Sequence, residues 1–73
     1  MNLYMYIPEE QEFYKIVLTR DFIPLIHEYY ESYSQFELYM GETIPKSKKI
    51  GETFTNIKDF IKYIIIMGRL LLN

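Results

Sequence analysis

The stretch NIKDFIKYIIIMGRLLL, residues 56–72, decides how this chain is read. At about 100° per residue, Lys58, Lys62 and Arg69 fall on one narrow stripe. Ile57, Phe60, Ile61, Ile64, Met67 and Leu70 are among the apolar side chains that fill the rest. Thr55 or Asn56 supplies the cap. A helix apolar on all but one stripe must be covered on two or more sides. The competing reading is a short helix followed by a buried strand over 63–67, because three consecutive isoleucines suit a strand. We take the helix, largely buried, over about 56–72. Its surplus face, Ile64, Met67 and Leu71, is expected to meet a second copy of the chain or another protein.

Residues 3–7 alternate, with Leu3, Met5 and Ile7 on one side and Tyr4 and Tyr6 on the other, which is strand periodicity closed by Pro8. Residues 9–19 fit a helix start after Pro8 or a strand over 13–19, and we read a hairpin with Pro8–Gln11 as its connection. Residues 21–34 form the clearest amphipathic helix, capped by Asp21 with Pro24 in the first turn. Phe22, Ile23, Leu25, Ile26, Tyr29, Tyr30 and Tyr33 share its broad apolar face. Phe36, Leu38 and Met40 alternate against Glu37 and Tyr39 in a third strand. A turn at 45–48 leads to a fourth across 49–54. The triplet Gly-Glu-Thr at 41–43 and 51–53 is too short to mark a repeat architecture. These elements predict a single α+β domain over 1–73, with three to four antiparallel strands packed against both helices.

Seventy-three residues make a small domain with a thin stability margin. There are no cysteines to staple it, and one histidine cannot build a four-ligand zinc site. Stability therefore has to come from a dense apolar core or from company, and 49% of the residues are apolar, with eight Tyr and five Phe. No targeting segment is visible, and the run at 63–72 is far shorter than the ~20 residues a bilayer crossing needs. A cytoplasmic location is the expectation, in the host cell if the source is viral. Eleven Ile and eight Tyr beside no Ala and no Trp track A- and T-rich codons, as in a low-GC bacterium or its phages.

Charge divides the chain. Residues 1–45 carry eight acidic groups against two basic, and residues 46–73 carry six basic against two acidic. No catalytic constellation emerges. His27 stands beside Glu28 and Glu31 without a nucleophile at a supporting spacing, so it reads as a surface residue. Glu9, Glu10 and Glu12 read as a solvated turn rather than a metal cluster. Lys46, Lys48 and Lys49 lack the glycines and following helix of a phosphate loop. Tyr29, Tyr30 and Tyr33 read as core or core rim. Tyr4, Tyr6 and Tyr39, with Phe13 and Val17, fall on the sheet face that two helices on the other side would leave uncovered, and such an aromatic face marks a binding site.

The expected function is therefore non-catalytic protein binding, without cofactor or metal and without membrane association. A small acidic inhibitor encoded by a phage or mobile element, of the anti-CRISPR or host-takeover type, fits size, charge and residue usage. Glu28, Glu31, Glu37 and Glu42 would complement a basic groove on a host protein, including one that binds nucleic acid. The alternative is a small nucleic-acid-binding regulator that stacks bases on the aromatic face and holds phosphates with Lys58, Lys62 and Arg69. A net charge of −2 argues against direct nucleic-acid binding. A homo-oligomeric subunit, dimerised through the C-terminal helix, is compatible with either.

Overall fold

The computed structural model describes residues 1–72, with side chains described through residue 70. In chain order it contains β1 (Asn2–Ile7), β2 (Glu12–Ile16), α1 (Phe22–Tyr30), β3 (Phe36–Gly41), β4 (Lys48–Phe54) and α2 (Ile57–Leu72). The strands form one sheet in the order β2-β1-β3-β4, with every neighbouring pair antiparallel. Period-2 alternation sets the register: Leu3 faces Ile16 and Met40, and Met5 faces Tyr14 and Leu38. A slip of one residue would turn all of these out of the core.

The core lies between the sheet and a layer made of both helices. Leu3, Met5, Ile7, Ile16, Phe36 and Leu38 meet Ile26 of α1 and Phe60, Ile61 and Ile64 of α2. Phe36 and Phe60 stack with ring centroids 5.4 Å apart. The expected α+β architecture is the one observed. The hairpin reading of the second segment also holds, because residues 8–11 connect β1 to β2. Gln11 closes that turn at φ 56°, and its N–H donates to the Ile7 carbonyl at 2.9 Å.

The C-terminal segment is a continuous helix, with no strand at 63–67. Its buried positions, Phe60, Ile61, Ile64 and Gly68, recur at helical spacing. Asn56 is the cap: its side-chain oxygen accepts from the N–H groups of Lys58 at 2.8 Å and Asp59 at 3.3 Å. α1 is shorter than the expected 21–34 and ends at Tyr30. The reason lies in the β1–β2 turn. Glu9 accepts the backbone N–H of Ser34 at 2.7 Å, the Ser34 hydroxyl at 2.9 Å and the Gln35 N–H at 3.2 Å, which draws the chain out of the helix toward β3. A nine-residue helix also presents a shorter face to the sheet. Ile26 is buried, whereas Leu25 is 45% and Tyr29 66% exposed, so these two leave the core assigned to them from periodicity.

The second Gly-Glu-Thr triplet forms a bulge. β3 and β4 pair in register from Met40↔Lys48 to Leu38↔Ile50, then resume at Phe36↔Phe54 with two extra residues on β4. Gly51 takes φ 69° there, against the Tyr63 ring of α2.

Candidate functional site

The face of the sheet turned away from both helices carries three rings in mutual contact. Tyr6 of β1 lies opposite Phe13 of β2, with centroids 4.5 Å apart. Phe13 and Tyr39 of β3 meet at 5.1 Å and 77°, and Tyr6 and Tyr39 at 6.0 Å and 73°. Strand parity and register bring these residues together: Tyr6 and Tyr39 alternate with inward-facing positions, and Phe13 lies directly opposite Tyr6. All three are half-buried, which for rings without a covering layer means that they shield one another and still offer edges to solvent.

Tyr4 shares this face but is only 6% exposed. Its hydroxyl donates to the Glu42 carbonyl at 3.3 Å, and the Asn2 side-chain amide donates to the same oxygen at 3.1 Å. Tyr4 therefore fastens the start of β1 to the end of β3 and is not available to a partner as expected. Phe13 takes its place in the exposed cluster.

The charges around the rings are balanced differently from those of the chain as a whole. Lys15 stands across from Tyr4, and Lys49 across from Tyr39. The carboxylate beside the rings is that of Glu37, which accepts from the Tyr39 hydroxyl at 3.2 Å and from Thr53 at 3.2 Å, and approaches Lys49 at 3.9 Å. Lys49 also donates to Thr53 at 2.7 Å across the bulge. Burial, then the Glu37 carboxylate, pushes the Tyr39 hydroxyl above its ordinary pKa, so it remains a neutral donor.

The four acidic residues expected to act together do not share a surface. Glu28 and Glu31 project from the helix layer, Glu37 is engaged on the opposite face, and Glu42 is exposed beyond the end of β3. The basic residues are divided in the same way. Lys58, Lys62 and Arg69 are exposed on α2, while Lys49 lies on the far side of the sheet. Within the expected oligomer surface, Ile64 is fully buried in the chain's own core and Met67 packs against that core. Leu71 lies outside the described side chains. Among the described side chains of α2, the exposed large apolar ones are Ile66 at 54% and Leu70 at 68%.

His27 faces Glu31 at 3.6 Å in a surface pair. Among the described residues, no group of three His, Cys, Asp or Glu side chains could hold a metal. Among the same residues, no helix is long and apolar enough to cross a membrane. Glu10 accepts the Tyr14 hydroxyl at 3.0 Å, and Tyr14, Tyr30 and Tyr33 form a ring cluster between β2 and the end of α1.

A second feature was not foreseen from the sequence. A groove of about 370 Å³ opens at the end of β2, walled by Leu3, Ile16, Val17, Leu18 and Gly68, with Lys15 as the one ionisable side chain on its lining. Its only signal in the sequence is an apolar pair, Val17-Leu18, just beyond a strand. No protein-family model matches the chain, and comparisons with curated proteins and with solved structures give no match.

Proposed function

We propose that this protein is a non-catalytic binding module whose protein partner docks on the aromatic face of the sheet. The observation that carries this reading is the contact cluster of Tyr6, Phe13 and Tyr39 on a face that neither helix covers. Aromatic residues give large contact area at low entropic cost and dominate binding energy at protein interfaces. A short, cysteine-free chain whose residue usage tracks A- and T-rich codons suits a small inhibitor encoded by a phage or mobile element, of the anti-CRISPR or host-takeover type, acting on a host protein in the cytoplasm.

A second reading, single-stranded nucleic acid, has one observation in its favour: Lys15 and Lys49 border the rings. Base stacking, however, needs ring faces turned to the ligand. Two of the three ring pairs here are edge-to-face, at 73° and 77°, so the rings cannot all lie flat against successive bases. Protein binding is the better fit.

The test pairs two measurements. Capture from a candidate host lysate, with mass-spectrometric identification, should yield a defined protein with the native chain. It should lose that protein with the Tyr6→Ser/Tyr39→Ser double variant, whose circular dichroism should remain native. Gel shift at low salt should show no retardation of a single-stranded oligonucleotide. Capture that survives the double variant would remove the aromatic face from the contact, and retardation that weakens with added salt would favour nucleic acid.

A further inference from the structure

We infer that the free edge of β2 takes an extended segment of a partner protein, one that carries an acidic residue next to an apolar one. The inference extends the protein-binding reading to a second surface and stands on different residues. β2 is terminal in the sheet, so alternate N–H and C=O groups along its outer side have no strand to pair with. The opposite edge is blunted: β4 is bulged over residues 51–53 and begins with Lys48 and Lys49. β2 pairs with β1 without interruption and carries a single lysine.

A strand added to β2 continues the pleat, and its side chains alternate between the two faces. The residue opposite Lys15 would lie on the aromatic face. Among the described residues Lys15 has no ion pair within 4.0 Å, so a carboxylate there meets an unneutralised ammonium group. The next residue, opposite Ile16, turns to the helix side, where the groove between Leu3, Leu18 and Gly68 can receive an apolar side chain. Gly68 lets Leu18 pack directly on α2 and shape this wall, because a β-carbon there would overlap Leu18 Cδ1. Main-chain hydrogen bonds then supply affinity, and the acidic–apolar pair supplies selectivity.

The test is an amide NMR titration of the full chain with Ac-Val-Glu-Val-Glu-Val-Glu-NH2 and with its lysine counterpart, Ac-Val-Lys-Val-Lys-Val-Lys-NH2. The glutamate peptide should give saturable shifts over residues 12–18 and at Gly68, with an affinity about tenfold or more above that of the lysine peptide. Lys15→Glu should reverse the preference. Leu18→Ser should weaken both peptides without reversing it, and Tyr6→Ser should leave binding unchanged. Equal affinity for the two peptides, shifts centred on β4, or no saturable shift up to about 5 mM peptide would overturn the inference. Shifts centred on Tyr6 and Tyr39, abolished by Tyr6→Ser, would also overturn it while leaving the aromatic-face function standing.

Discussion

Glu9 sits in a turn, fully open to water, yet it holds three hydrogen bonds from Ser34 and Gln35. Those bonds, first among them the Ser34 backbone N–H, hold its carboxyl below the ordinary glutamate range. The stability it contributes is therefore complete above the unfolded-chain value of about 4.3 and disappears as the pH falls through the lower folded value. Glu9→Gln should lower the thermal midpoint at neutral pH, and the gap from the native chain should close on acidification. A gap that stays constant from pH 7 to pH 3 would rule this account out. The Tyr14 hydroxyl moves the other way, pushed up to about 12, chiefly by its hydrogen bond to Glu10. Its contribution is present below the unfolded value near 10 and is lost as the pH rises toward the folded one. NMR titration should find the Tyr14 hydroxyl ionising late, and Glu10→Gln should bring it back toward 10. An unchanged titration curve would exclude Glu10 as the cause.

At the scale of elements, what could be read from local sequence was what local periodicity controls. The alternation in β1 and β3 fixed which side chains face the helices, and the 60/61/64/68 spacing made α2 a helix despite its three isoleucines. The end of α1 was not readable, because a carboxylate 25 residues away competes for the backbone that would have continued it. Parity placed Tyr6 and Tyr39 on the open face correctly. It could not distinguish them from Tyr4, which a carbonyl 38 residues away takes up. The bulge at Gly51 was equally hidden, since the same triplet at 41–43 contains the last residue of β3 and no bulge. Gly51→Ala forces a side chain into left-handed backbone and against the Tyr63 hydroxyl, and should cost about 1–2 kcal/mol. Urea unfolding measures this, and a loss under about 0.5 kcal/mol would show that the bulge relaxes freely.

For the molecule as a whole, the sequence suggested that α2 was too apolar for so small a body. The structure removes most of that surplus by burying Phe60, Ile61 and Ile64 within the chain. The radius of gyration, 11.3 Å, matches the roughly 11 Å expected for an autonomous domain of this length. Those three positions are closed within one chain. The thermal midpoint should therefore be unchanged over about a hundredfold dilution, whereas an obligate dimer would melt earlier when diluted. The margin is still narrow, on the order of 4–11 kcal/mol for a chain of this size. Phe60 contacts both Phe36 and Phe54 at the centre of the core. Phe60→Ala should remove about 3–5 kcal/mol and leave the chain close to its unfolding transition at room temperature. A cooperative melt within a few degrees of the native one would show that the core is redundant there.

The bulged flank also determines how large an assembly can grow. A ribbon that accepts a neighbour on one side only cannot propagate: once β2 is occupied, β4 offers no template for the next addition. Whatever joins this protein edge to edge ends the row, so the largest such array is a pair. This limit protects an isoleucine-rich chain from fibril formation without requiring the recognition edge to be covered.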